Sequence, residues 1–198
     1  IELINASNVS LSNMTLINAN QSDGAASDGT SGGNENTDEN GAIYLDNVSG
    51  IDLVNVDING AAQHGINGHM VTDLDISNST IQNTGNGIWE SGIYLFQLRG
   101  TQAAGTDNVF SNSIIRSTGQ FNVFVRNNAA TNAAPGAMDR VVFNNMQFLD
   151  SGASVAGDHV TVSNRDTANF QTVVTGSAFD ATPGDTSDSI QVDAGDTS

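Results

Sequence analysis

The chain has no cysteine, so disulfide patterns say nothing about its compartment. It has no lysine either. Its basic residues are Arg99, Arg116, Arg126, Arg140 and Arg165, set against 22 acids, for a net charge of 5 − 22 = −17. Such a surface repels phosphate backbones and anionic lipid heads, which argues against nucleic-acid and membrane-surface partners. Proline occurs twice, no apolar run is long enough to cross a bilayer as a helix, and no signal-peptide pattern is present. Helix-favouring stretches are scarce, because Ser, Thr, Asn, Asp and 21 glycines fill most of the positions that are not apolar. This composition suits a secreted protein whose 198 residues bury one core, read as a single segment spanning 1–198. Because the chain opens at Ile1 and not at a Met, the expectation is a piece of a longer polypeptide.

What the sequence does have is a repeat. The frame "ISNSTI" at 76–81 recurs as "LSNMTL" (11–16), "LVNVDI" (53–58), "FSNSII" (110–115), "FNNMQF" (143–148) and "VTGSAF" (174–179). Its centre is Asn13, Asn55, Asn78, Asn112 and Asn145, then Gly176. Two residues before the centre and three after it, all twelve flanking positions are apolar, in a chain that is 37% apolar overall. A second family of frames lies between the first: "AIYLD" (42–46), "GINGH" (65–69), "GIYLF" (92–96), "NVFVR" (122–126), "HVTVS" (159–163) and "SIQVD" (189–193). These mostly alternate apolar and polar residues, the period of a strand. Their spacing is unequal while the frames stay constant, so the strands are fixed and the loops vary.

A period of roughly 20 to 35 residues with short strands and no helical pattern predicts a solenoid of stacked coils, with equivalent strands paired in parallel ~4.8 Å apart. The central Asn sits where a coil must turn its corner in few residues, and Asn tolerates the left-handed conformation that such a corner needs. Stacked on one another, these amides are expected to form an interior Asn ladder along the axis.

The asparagine column, the "GIYL" strands and the "NSTI" returns resemble the repeats of right-handed parallel β-helices of the pectate-lyase-like superfamily, across about Asn8 to Val192 and roughly seven coils including partial ones. The regular "NVSGIDLVNVDING" style is most similar to β-helical stretches of large bacterial secreted or surface adhesin-type proteins. The resemblance implies an all-β fold and an extracellular or cell-surface location. For function it implies less, because the superfamily contains lyases, hydrolases, tailspikes and non-catalytic stretches.

Alternation in the second family of frames places Ile43, Leu45, Ile66, Ile93, Leu95, Val123 and Val125 inward. Tyr44, Asn67, Tyr94, Phe124, Thr161 and Gln191 then form one outward column, and Asp46, His69, Phe96, Arg126, Ser163 and Asp193 a second beside it. The resemblance implies a carbohydrate cleft on this face. The candidate carbohydrate-binding residues are Tyr44, Asp46, His69, Trp89, Tyr94, Phe124 and Arg126, with aromatic faces for sugar stacking and polar groups for hydroxyls or carboxylates. Trp89, in "NGIWES", either walls this groove or plugs the core at its corner.

No catalytic residue is assigned. "NTD" at 36–38 echoes a hydrolase motif, but the paired acids, "GHG" and "RIK" that accompany it in that family are missing. Arg126 with Asp46 and His69 is the nearest approach to a lyase constellation, although on the stacking distance His69 and Arg126 stand two coils, ~9.6 Å, apart. His64, His69 and His159 read as solvated surface residues. Residues 21–40 read as a flexible acidic insertion; Asp23, Asp28, Glu35, Asp38 and Glu39 offer oxygens for calcium, but their spacing matches neither an EF-hand nor the nonapeptide calcium repeat. No metal or cofactor is therefore assigned. The expected function is a structural or adhesive segment, a stiff acidic rod. The alternatives are a polysaccharide lyase or glycoside hydrolase and a carbohydrate-binding module without turnover. An open β-helix end exposes unpaired backbone and core, so further coils of the same chain or end-to-end copies forming a filament are the expected partners, with polysaccharide beside them.

Overall fold

The computed structural model describes residues 1–21, 40–87, 89–128, 138–152, 157–165, 168–180 and 189–195. Among these there is no α-helix, only strands and a single 3-10 turn, Gln102–Ala104. Seven strands, Glu2–Ile4, Gly41–Asp46, His64–His69, Ser91–Phe96, Phe121–Asn127, Val160–Arg165 and Ile190–Gly195, pair in that order in one parallel sheet. Between successive members the chain enters a second, ten-stranded parallel sheet. This sheet has two limbs joined on the long strands Ser7–Ile17 and Ser49–Ala61, whose residues before the central Asn pair with one limb and whose residues after it pair with the other. Every pairing is parallel and between equivalent frames, which makes the molecule a parallel, β-solenoid-like stack.

The repeat frames account for the core. Leu53, Ile58, Ile76, Ile81, Phe110, Ile115, Phe143 and Phe148, all flanking positions of the Asn-centred frame, are buried. Their counterparts at the two ends, Leu11, Leu16, Val174 and Phe179, pack against that core but are half-buried. Inside the stack Phe110, Phe143 and Phe148 meet edge to face at 5.4 and 5.6 Å, and Phe179 stacks on Phe148 at 5.0 Å. Stacked coils place like residues above one another, so one aromatic in a frame creates space that its neighbour fills best with another.

The corner reading holds for the backbone. Asn13, Asn55, Asn78, Asn112 and Asn145 have φ between 49° and 54°, and Gly176 has φ 58°. Eleven of the seventeen non-glycine residues with positive φ among those described are Asn, so the left-handed corners are mostly made by asparagine.

The interior position expected for these amides is wrong. All five are exposed, and their hydrogen bonds, Asn55 Nδ2 to Asn13 Oδ1 and Asn145 Nδ2 to Asn112 Oδ1, both 2.8 Å, run along the outside. A left-handed residue at a convex corner points its side chain away from the axis. The residue after it turns inward, and there the polar ladder is found: Val56 N–H donates to Ser79 Oγ, Ser79 N–H to Ser113 Oγ and Met146 N–H to Ser177 Oγ, at 3.0 to 3.1 Å. Each serine hydroxyl in turn donates to the carbonyl two residues back, that of Ser77, Ser111 and Thr175. Interior amides exist elsewhere: buried Asn108 takes Leu74 N–H on Oδ1 and gives Nδ2 to the carbonyls of Arg99 and Arg140.

Candidate functional site

Register brings the second outward column together as expected. Asp46 pairs with His69, His69 with Phe96, Phe96 with Arg126, Arg126 with Ser163 and Ser163 with Asp193. The column runs along the rim of the seven-stranded sheet, because the next residue in each turn, Asn47, Met70 or Gln97, is already left-handed and starts the corner. Asp46, His69, Phe96 and Arg126 are all half-exposed. His69 Nδ1 and Asp46 Oδ1 lie 2.9 Å apart, and since a carboxylate only accepts, Nδ1 carries the proton and Nε2 is the ring's second polar atom. The imidazole lies flat on Phe96, with centroids 5.3 Å apart and planes 8° from parallel. Arg126, on the far side of Phe96, has its pKa lowered, first by burial and then by the nearby charge of Arg165.

The first outward column needs correction. Tyr44, Asn67, Tyr94, Phe124 and Thr161 are buried, with Tyr44 and Tyr94 8% exposed and Phe124 5%, so these rings are not an open stacking platform. Tyr94, Phe121 and Phe124 form a small apolar cluster of their own on the outer side of the sheet, with Phe96 packed against it. Tyr44 instead lines a separate pocket of about 240 Å3 with Glu2, Asn20 and Gly41.

Trp89 is the open end of the cluster. It is 40% exposed, and its indole packs on Phe121 and Phe124 at 5.9 and 5.8 Å, so it belongs to the outer wall and not to the core. Its backbone is left-handed at φ 65°, a strained state for an aromatic residue, and it is held there from both sides. Trp89 N–H donates to Gln120 Oε1 at 2.6 Å, while the carboxylate of Glu90, 2% exposed, accepts from the backbone N–H groups of Asn86 and Gly87. This buried Glu90 was not visible as a functional support in the sequence, where an acid in a Gly/Asn turn reads as solvated.

The histidine expectation fails for two of the three. His64 is 3% exposed, takes Ser91 N–H on Nδ1 at 3.1 Å and stacks on Tyr94 at 5.0 Å. Burial, partly opposed by the Ser91 bond, drives its pKa down to about 3. His159, 1% exposed, has Nδ1 2.7 Å from Asn122 Oδ1. His64 opens the strand His64–His69, and His159 immediately precedes the strand Val160–Arg165.

Carboxylates gather elsewhere, on the first limb of the ten-stranded sheet. Asp52 and Asp75 are register partners, and Asp73 and Asp107 lie near them. Burial and then the charges of Asp52 and Asp107 raise the pKa of Asp73; for Asp75 burial again raises it most, opposed by the Val109 N–H bond. Arg140 reaches Asp107 at 3.4 Å. Among the described residues no group of three or more His, Cys, Asp or Glu is arranged to hold a metal. The proposed calcium oxygens in the 21–40 segment and the "NTD" tripeptide lie outside the described residues.

No protein-family model, curated protein or solved structure matches the chain.

Proposed function

We propose that the chain is a stretch of right-handed parallel β-helix of about seven coils, akin to the pectate-lyase-like kind in large bacterial surface proteins, serving outside the cell as a stiff acidic rod that binds glycan along the rim of its seven-stranded sheet. The observation that carries this reading is the half-exposed column Asp46, His69, Phe96 and Arg126, with exposed Trp89 on the same sheet's aromatic cluster. A pyranose ring has an apolar face that stacks on a flat ring and hydroxyls that bond to charged side chains; the Phe96 and His69 rings and the Trp89 indole supply the first, Asp46 and Arg126 the second. Buried Phe121 and Phe124 pack behind this surface against Trp89, with Tyr94 against Phe124, and do not act as sugar contacts. Apolar residues exposed near the two ends of the stack, Ile17 at 66% and Val192 at 59%, support association of the rod with further β structure.

The test is titration of neutral and acidic oligosaccharides into the protein and into Trp89→Ala and Phe96→Ala, followed by calorimetry. Binding by the parent and roughly tenfold weaker binding by both variants is expected. Equal affinity in all three would remove the site from this rim.

The Asp46–His69 contact supports one second reading, a polysaccharide lyase, because a carboxylate on Nδ1 orients the imidazole and leaves Nε2 to take a proton. Incubation with acidic polysaccharide separates the two readings. Unsaturated uronate absorbance that disappears in His69→Ala would establish the enzyme and displace the rod reading.

A further inference from the structure

The chain contains four Asn-Gly pairs, at 40–41, 59–60, 67–68 and 86–87. Such a pair is prone to ring closure, because glycine has no side chain to shield its nitrogen from the carboxamide of the asparagine before it. Gly41, Gly60 and Gly68 are strand residues held in paired ladders, in Gly41–Asp46, Ser49–Ala61 and His64–His69, and a paired strand keeps the asparagine backbone extended, away from the fold that closure needs. The fourth pair lies outside every described strand, in the turn before Trp89, and Asn86 is exposed.

A carboxylate is seated on that turn. Glu90 Oε2 accepts from both Asn86 N–H and Gly87 N–H, and a Cβ built on Gly87 would stand 3.4 Å from Cδ and from each carboxylate oxygen of Glu90. The turn closes tightly around it: a Cβ on Gly85, at φ 80°, would meet Glu90 Cβ at 2.8 Å and Gly119 N at 3.0 Å. Glu90 is 2% exposed, so the group is fixed and little hydrated. A hydrogen bond from the attacking nitrogen to a carboxylate is the geometry in which a general base takes a proton.

We propose that Asn86 is a self-modification site, with Glu90 as the general base that drives it. As the Gly87 nitrogen attacks Asn86 Cγ, its proton passes to Glu90; the Cγ–Nδ2 bond then breaks, and ammonia leaves with the electron pair and with the proton that Glu90 returns. The product is a five-membered imide. Water opens it at either carbonyl, giving aspartate or isoaspartate, so one water is consumed, one ammonia is released and nothing is oxidised. Either product places a new carboxylate beside that of Glu90, and isoaspartate also adds a methylene to the main chain of the turn that holds Trp89 at φ 65°. The modification rests on this turn alone; its effect on glycan binding rests on the proposed rim.

The experiment incubates the whole chain at neutral pH, in buffer and in urea, and follows each Asn-Gly pair by peptide mapping with mass spectrometry, with released ammonia as a second readout. In buffer Asn86 should convert first, roughly tenfold or more faster than the same residue in urea, whereas Asn40, Asn59 and Asn67 should convert more slowly folded than unfolded. Glu90→Gln should lose the advantage at Asn86 in buffer and keep the parent's rate in urea. Trp89, the only tryptophan, reports by its fluorescence whether that variant keeps the turn; if it does not, the parent's rates in buffer and in urea decide by themselves. Conversion of Asn86 no faster in the folded parent than in urea, or a folded Glu90→Gln chain that keeps the parent's rate, would overturn the proposal.

Discussion

Acidification should destabilise this protein first through His64. Its folded pKa is about 3 against an ordinary 6.5, so the unfolded chain takes up a proton that the folded one refuses. The folded value is depressed, and the group is a base: full stability is present above about pH 6.5 and is lost as pH falls from there towards 3. One proton is at stake, so the slope approaches about 1.4 kcal/mol per pH unit, and the loss between pH 7 and pH 5 is about 2 kcal/mol. The cause is geometric. His64 is buried under Tyr94, where a charged imidazole loses its hydration, and the Ser91 contact offsets only part of that cost. Asp73 and Asp75 act with the opposite sign, because their raised pKa values make the folded protein easier to protonate and return stability as pH falls towards their own range. Both proteins in a comparison of the parent with a His64 variant carry Asp73 and Asp75, so the difference between their pH profiles isolates the histidine. The assay is urea unfolding at pH 7, 6 and 5 for the parent and for His64→Gln, whose amide can accept the Ser91 N–H without titrating. The variant should be flatter by about 2 kcal/mol over that range. Parallel pH profiles for the two proteins, or an NMR titration of His64 near 6.5, would refute the reasoning.

Three further outcomes follow from the packing. Ser113→Ala leaves the buried Ser79 N–H without its acceptor and should cost about 1–3 kcal/mol in unfolding experiments, whereas Asn112→Gly, at the exposed left-handed corner beside it, should cost under about 1 kcal/mol. Phe143→Ala empties the centre of the interior aromatic stack and should cost about 3–5 kcal/mol, read as a fall in the denaturation midpoint. Gly92→Ala would set a Cβ 2.6 Å from Ile115 Cγ2 and 2.7 Å from the Asn122 carbonyl, so a loss of about 1–3 kcal/mol is expected, and an unchanged midpoint would show that two neighbouring coils can part at little cost.

Much of the architecture was legible because a stacked fold writes its geometry into the sequence as a period. The apolar flanks of the Asn-centred frame became the core, the alternating frames became the seven-stranded sheet, and the Asn centres became left-handed corners. Each of these follows from backbone sterics or from side-chain alternation, which are local. The same locality gave the column Asp46, His69, Phe96 and Arg126, since residues at one frame position must stack when the strands pair in register.

Solvent exposure was decided by tertiary structure. Alternation says which side of a sheet a residue takes, not whether chain lies over that side, and so Tyr44, Tyr94 and Phe124 turned out buried on the face expected to be open. His64 and His159 were misread for the same reason, sitting at strand starts whose surroundings no local pattern records. The corner ladder shows the limit most sharply. An Asn and the Ser beside it are both small and polar, and only the direction of the backbone at φ near +50° sends the Asn amide outward and the Ser hydroxyl to the buried N–H of the next coil.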